Sequence, residues 1–166
     1  FEPPYMKKAG MSCDFVGHPI VSQELPNQKD VSRFRHSIGA SKDDIIIALL
    51  PGSRKSEIKR MGPIFSEFVK VAVKNFPNLK FVTPSPIGVI DEVNKWLDQG
   101  KLPIVQLNEM KGEANRFKRE KDILFSSAVL AVATSGTVAL ELARIGTPMV
   151  IGYRTSFVTE KFIKNF

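Results

Sequence analysis

The central part of the chain alternates short apolar runs with longer amphipathic stretches. The clearest apolar run is Ile-Ile-Ile-Ala-Leu-Leu at residues 45–50, which ends at Pro51-Gly52. An unbroken run of this kind is typical of a strand that is buried on both faces of a parallel sheet. Between residues 58 and 76 the apolar positions recur every three or four residues, which predicts an amphipathic helix. We expect this helix to loosen at Gly62-Pro63 and to stop before Pro77.

The same alternation continues through the rest of the chain. The pattern predicts strands at 80–83, 104–107, 129–133 and 149–153, and helices at 89–97, 117–127 and 138–145. Strands that alternate with helices through short connections imply right-handed crossovers and a parallel sheet. The sequence therefore predicts an α/β fold, a Rossmann-like parallel sheet with helices on both faces.

The two ends of the chain are less regular. A short strand is predicted at residues 13–16 and a short helix at 31–38. We interpret residues 1–16 as the end of a preceding domain or an interdomain linker, 17–154 as the Rossmann-like domain, and 155–166 as an amphipathic helix. Because the first residue is Phe and the last lies within a helix-like pattern, we expect the chain to be a piece of a longer protein.

The charge balance favours anionic partners. Lys and Arg outnumber Asp and Glu by 24 to 17 among 166 residues, for a net charge of +7, which suits nucleotides, phospholipid surfaces or nucleic acid. The basic residues are scattered and only two Tyr and one Trp are available for base stacking, which disfavours nucleic acid. The lone Cys13 has no partner for a disulfide within the chain. No apolar run approaches the ~18 residues of a membrane span, so the sequence predicts a soluble protein.

The first candidate site is the turn that follows the most apolar strand. In an open α/β sheet, ligands bind beyond the carboxyl ends of the strands. Gly52 lets backbone approach a ligand, and Ser53 offers a hydroxyl and N–H groups at the start of a helix. Arg54 and Lys55 are cations that oppose the helix dipole there, so we expect an anion such as phosphate. Glu57 leaves a second interpretation open, in which the turn is only a capped helix start with a surface ion pair.

The second candidate site occupies the equivalent place after a later strand. Ser135, Gly136 and Thr137, preceded by Thr134, stand between a buried strand and a helix, where hydroxyls and N–H groups can donate to diphosphate oxygens without a metal. An ordinary N-cap explains the same residues when this turn is taken alone. Glu141, one turn into the helix, is placed to accept from ribose hydroxyls, or else compensates the helix dipole.

Several motifs are missing from the sequence. Neither the dinucleotide motif G-x-G-x-x-G nor the phosphate-loop motif G-x-x-x-x-G-K-[ST] occurs. With only His18 and His36, no catalytic triad is recognisable, and no acidic pair stands at a strand end to hold a metal. We therefore expect no metal or other cofactor. His18 is a candidate for the same crevice because it ends a predicted strand.

Four segments, in this order, resemble the lipid-A-disaccharide synthase family. They are Phe15-Val16-Gly17-His18-Pro19, then Leu49-Leu50-Pro51-Gly52-Ser53-Arg54 with Glu57, then Ala133-Thr134-Ser135-Gly136-Thr137 with Leu140-Glu141, and finally Pro148-Met149-Val150-Ile151-Gly152-Tyr153-Arg154. The resemblance implies one half of a GT-B glycosyltransferase, whose active site lies between two Rossmann-like domains. This chain is similar to the C-terminal domain, which binds UDP, whereas the missing N-terminal domain would supply the catalytic base.

The resemblance also implies an activity. The family is an inverting hexosyltransferase of Gram-negative lipid A biosynthesis, which transfers 2,3-diacylglucosamine from its UDP derivative to 2,3-diacylglucosamine 1-phosphate and releases UDP. The implied location is cytoplasmic and peripheral to the inner membrane, with no nucleic-acid partner. We expect the isolated chain to bind UDP weakly and to have no transferase activity, and residues 155–166 to return toward the missing domain or touch a membrane interface.

The residue roles follow by position. The growing charge on the leaving nucleotide implies a catalytic role for Arg54. The implied nucleotide-binding residues are Gly52, Ser53, Arg54, Glu57, Ser135, Gly136, Thr137 and Glu141, with His18, Tyr153 and Arg154 as further cleft residues. Another UDP-sugar enzyme of the same fold, such as a UDP-N-acetylglucosamine 2-epimerase, stays open as an alternative, as does a basic module that binds nucleic acid or a membrane surface.

Overall fold

The computed structural model describes residues 2–17 and 19–154 and contains a five-stranded sheet. The strands are β1 (Ile45–Leu50), β2 (Leu79–Ser85), β3 (Ile104–Asn108), β4 (Leu130–Thr134) and β5 (Met149–Gly152). They lie in the order β3-β2-β1-β4-β5, and all four pairings are parallel. The chain moves outward from β1 to β3 and then returns to the other side of β1. This order creates a topological switch point between β1 and β4 and confirms the predicted Rossmann-like fold.

Helices cover both faces of the sheet. The covering helices are α2 (Gln28–Ser37), α3 (Lys55–Asn75), α4 (Ile90–Gly100), α5 (Ala114–Ser127) and α6 (Val138–Ile145), with short 3₁₀ turns at Pro19–Ser22 and Ile87–Val89. The first helix, α1 (Glu2–Lys8), has no buried residue. Alternate residues of β1 point to opposite faces. Ile47 and Leu49 pack with α3 and α4, and Ile46 and Ala48 pack with α2, α5 and α6. Two apolar layers therefore hold the sheet between them.

The long helix α3 runs through Gly62-Pro63 without interruption, contrary to the loosening that was expected. Close packing against α4 explains the glycine, because a Cβ on Gly62 would lie 2.9 Å from Cδ1 of Trp96. The Ser66 hydroxyl donates to the Gly62 carbonyl at 3.0 Å and accepts from Nε1 of Trp96 at 2.9 Å. These contacts tie the turn of α3 that contains Pro63 to α4.

The strand predicted at residues 13–16 is wrong. These residues form no regular element in the described structure, and Phe15 and Val16 are exposed. A strand needs a neighbour for its backbone hydrogen bonds, and none of the five described strands pairs with this segment. The amphipathic helix predicted at 155–166 lies outside the described residues. Within the described residues, no helix is long and apolar enough to cross a membrane.

Candidate functional site

A cleft of about 280 Å³ opens at the carboxyl ends of β1 and β4, at the switch point of the sheet. Its walls are the turn from β1 to α3 and the turn from β4 to α6, and Pro84 and Pro86 at the end of β2, with Lys121 of α5, complete the lining. The cleft brings together all eight residues that were predicted to bind a nucleotide, namely Gly52, Ser53, Arg54, Glu57, Ser135, Gly136, Thr137 and Glu141. The two turns therefore form a single site. The nucleotide-binding roles of these eight residues stay predictions.

The turn from β1 to α3 is closed by its own glutamate. The buried Glu57 carboxylate accepts from the N–H of Ser53 at 2.9 Å and from the N–H of Arg54 at 3.2 Å. It also accepts from Nη1 of Arg54 at 2.9 Å. The expectation that the Ser53 turn presents free N–H groups is therefore wrong for these two donors. The second interpretation, a capped helix start with an ion pair, describes how this turn is built.

Gly52 is required by this closure. Its φ of +132° lies in the region that side chains rarely adopt, and an added Cβ would lie 2.4 Å from Cβ of Glu57. The glycine therefore allows the glutamate to fold back over the turn. We expected this glycine to allow the close approach of a ligand, and the contact with Glu57 gives a reason for it within the chain.

Within the described residues, the Arg54 side chain is held only at its guanidinium. Its side chain is 78% exposed, whereas that of Glu57 is 10% exposed. Lys55 is also exposed, so two cations stand at the start of α3. The Arg54 side chain lies mostly in solvent, and the Glu57 carboxylate keeps the N–H groups of Ser53 and Arg54 as donors when the guanidinium moves away. Arg54 can therefore leave Glu57 at little energetic cost and reach an anion in the cleft.

The turn from β4 to α6 is open. Its Ser135 N–H donates to the Gly152 carbonyl at 3.1 Å, which ties the turn to the end of β5. The N-cap residue Thr137 makes no side-chain capping bond. Within the described residues, no hydrogen bond uses the N–H groups of Gly136, Thr137 or Val138. The buried Thr134 hydroxyl also has no partner there. Unused donors at a helix N-terminus form a site for an anion.

Glu141 has a partner that the sequence argument missed. Nζ of Lys121 lies 2.6 Å from Oε2 of Glu141, and both residues line the cleft. Lys121 is on α5, outside both turns, and in the sequence it is one of the scattered basic residues. A topological signal was available, because α5 leads into β4 and packs beside α6, so one of its faces borders the turn after β4.

The remaining cleft candidates are not brought to the described cleft. Tyr153 and Arg154 follow β5 at the edge of the sheet, are exposed, and are absent from the cleft lining. They follow β5, which β4 separates from the switch point, and the preceding Gly152 carbonyl accepts from the N–H of Ser135 in the cleft wall. His18 lies outside the described residues. Across residues 2–17 and 19–154, no three His, Cys, Asp or Glu side chains are grouped to hold a metal ion.

The chain is similar to proteins of one family along its whole length. The family model described as lipid-A-disaccharide synthetase matches residues 1–166. The lipid-A-disaccharide synthase of Ruegeria pomeroyi is 37% identical over 161 residues, covering 97% of this chain and 40% of the relative. That of Rhodospirillum centenum is 35% identical over 166 residues, covering 100% of this chain and 39% of the relative. The chain thus spans about 40% of the length of these curated relatives.

Solved structures share the fold. The E. coli ADP-heptose lps heptosyltransferase II matches with a TM-score of 0.59 at 15% identity, covering 78% of this chain and 38% of that protein. WaaG, a glycosyltransferase involved in lipopolysaccharide biosynthesis, matches with a TM-score of 0.52 at 13% identity, covering 81% of this chain and 35% of that protein. These likenesses support the expected half of a GT-B fold.

Proposed function

The chain belongs to the lipid-A-disaccharide synthetase family, and from this membership we propose that its cleft binds the UDP part of a UDP-sugar. The observation that carries the proposal is the open N-terminus of α6 facing the exposed Arg54 across the switch point of the sheet. Donors from both sides can surround a diphosphate, and this crevice is where open α/β sheets bind their ligands.

The diphosphate is assigned to the turn from β4 to α6. The free N–H groups of Gly136, Thr137 and Val138, with the nearby hydroxyls of Thr134 and Ser135, point to an anion at the start of the helix. The ribose is assigned to Glu141, one turn further along the same helix. This arrangement places the sugar-bearing end of the diphosphate toward the turn from β1 to α3.

Arg54 is proposed as the catalytic residue of this chain. Displacement at the anomeric carbon breaks its bond to the β-phosphate oxygen, and negative charge grows on that oxygen. The Arg54 guanidinium leaves Glu57 and neutralises this charge together with the donors of α6. The loss of one contact to the developing charge typically lowers a rate by about 10²-fold. No metal or other cofactor is part of the proposal.

The complete reaction is proposed for the longer protein. We infer transfer of 2,3-diacylglucosamine from its UDP derivative to 2,3-diacylglucosamine 1-phosphate with inversion, in the cytoplasm and peripheral to the inner membrane. This chain spans only about 40% of its curated relatives, so the catalytic base and the acceptor site are assigned to the remainder. The 166-residue chain is expected to bind UDP without transferring sugar.

Titration calorimetry of the 166-residue chain tests this function. Weak, saturable heat is expected with UDP, with no signal from NAD or a short RNA at the same concentrations. Tight RNA binding without a UDP signal would favour the basic-module alternative and overturn the proposal. Sugar transfer by the purified chain would contradict the assignment of the base to another part of the protein.

A further inference from the structure

The ion pair between Lys121 and Glu141 stands at the wall of the cleft and joins two helices. Nζ of Lys121 is 2.6 Å from Oε2 of Glu141, and their side chains are 21% and 24% exposed. Oε2 is buried and has no partner besides this ion pair within the described residues, whereas Oε1 makes no bond there and is open to solvent. One carboxylate oxygen is therefore engaged by the lysine, and the other is available to a ligand.

A second ion pair already fastens the same two helices. Nη2 of Arg144 lies 2.7 Å from Oδ2 of Asp122, with side chains 6% and 7% exposed. Arg144 also donates through Nη1 to the Gln23 carbonyl at 3.2 Å. This buried pair connects α6 to α5 one residue further along α5, away from the cleft lining. Asp122 and Arg144 thus already link the two helices. The pair of Lys121 and Glu141, which lines the cleft, is therefore available for a role in ligand binding.

The task suggested by the geometry is to orient a carboxylate. A glutamate has three rotatable bonds, and an ionised carboxylate has about four acceptor positions. A ligand that offers two neighbouring hydroxyls binds best when the carboxylate is held in one orientation before it arrives. The Lys121 ammonium can fix Oε2 and leave Oε1, with its lone pairs, directed to the cleft.

We propose that Lys121 is the positioning residue for Glu141 and thereby sets the preference of this cleft for a ribonucleotide over a 2′-deoxyribonucleotide. The inference rests on the proposed function, because it assigns the sugar of a bound nucleoside diphosphate to Glu141. It adds a specificity-determining residue on α5, an element that contributes nothing to either turn.

The test compares the dissociation constants of UDP and 2′-deoxy-UDP for the 166-residue chain and its variants. The wild type is expected to prefer UDP by roughly tenfold, since a hydroxyl bound to a charged acceptor is lost in the deoxy compound. Lys121→Met is expected to weaken UDP binding roughly fivefold but 2′-deoxy-UDP binding less than twofold. Lys121→Arg is expected to restore most of the preference.

Two controls separate positioning from other roles. Lys118→Met, an exposed lysine of the same helix, is expected to leave both constants unchanged. In a Glu141→Gln background, Lys121→Met is expected to have no further effect on the ratio. Thermal unfolding is measured to show that each variant is folded at the temperature of the titrations. A partial loss of stability would lower both affinities equally and leave their ratio unchanged.

The outcomes distinguish this inference from the function on which it rests. If Lys121→Met lowers both affinities equally, the lysine contacts phosphate instead, and the inference is wrong. If it raises the UDP affinity, the lysine competes with the ribose, which also overturns the inference. In both cases UDP binding itself persists, whereas a wild-type chain that binds neither nucleotide would overturn the proposed function.

Discussion

The two turns that face each other across the cleft occupy equivalent places in the sheet, but one is closed and the other is open. Glu57 accepts from two N–H groups of the turn between β1 and α3. No side chain caps the start of α6, and three of its N–H groups have no partner within the described residues. A small-residue turn before a helix is thus not in itself an anion site, because a side chain of the same helix can fill it first.

The difference suggests a division of work between the turns. The open turn offers fixed donors, which bind an anion without rearrangement. The closed turn offers Arg54, whose guanidinium is restrained by Glu57 but remains mostly exposed. A fixed site for the diphosphate and a movable cation suit a reaction in which additional negative charge develops on the leaving phosphate at the transition state.

The largest expected effect comes from adding one methyl group to the closed turn. Gly52→Ala places Cβ 2.4 Å from Cβ of Glu57 at a φ of +132°, so we expect the free energy of unfolding to fall by about 3 kcal/mol. Gly136→Ala is the matched control in the open turn, where an added Cβ meets nothing within 4 Å; we expect a change below about 1 kcal/mol. Denaturant unfolding measures both, and equal losses would contradict the contrast.

The fold was largely predictable because its signals are local and repeated. Apolar runs such as residues 45–50 and three-to-four spacing in residues 58–76 specify buried strands and amphipathic helices without any tertiary information. The failed strand at 13–16 shows the limit of this argument. Its apolar residues looked like a strand, but strand formation depends on a partner that the local pattern cannot reveal.

The position of the site was predictable, but which of its backbone N–H groups are free to bind a ligand was not. Strand-to-helix turns of one parallel sheet must meet at one edge, which brought Arg54 and Ser135 together as expected. Whether the N–H groups of a turn are free depends on side-chain rotamers, which the sequence does not specify. The capping role of Glu57 therefore stayed one of two interpretations until the structure was known. Lys121 was missed because contacts between α5 and α6 are absent from any local pattern.

The second effect concerns the movable cation. Arg54→Met is expected to weaken UDP binding roughly tenfold, or about 1.4 kcal/mol, because a charge-assisted contact to the diphosphate is lost. Uridine, which has no phosphate, serves as the comparison ligand, and its weak binding is expected to change less than twofold. Calorimetry or ligand-observed NMR measures both. Equal weakening of the two ligands would show that Arg54 does not meet the diphosphate.

The third effect compares the two helix starts directly. Glu57→Ala removes the acceptor of two N–H groups, so we expect a loss of about 1 kcal/mol in the free energy of unfolding. Thr137→Ala removes a hydroxyl that makes no capping bond, and we expect a change within about 0.5 kcal/mol. Thermal and denaturant unfolding of the two variants give the comparison. A larger loss from Thr137→Ala would mean that α6 is capped in solution.

The smallest effect separates a hydroxyl that faces the cleft from one that does not. Thr134 and Thr83 are both buried, and neither hydroxyl has a partner within the described residues, but only Thr134 lines the cleft. Replacing either with the similarly shaped valine removes an unsatisfied polar group, so we expect unfolding free energies to stay within about 1 kcal/mol or to rise. UDP affinity is expected to fall roughly threefold in Thr134→Val and to stay unchanged in Thr83→Val. Equal UDP affinities in the two variants would mean that the Thr134 hydroxyl does not donate to the nucleotide. The open turn would then bind its anion through backbone N–H groups and the remaining hydroxyls.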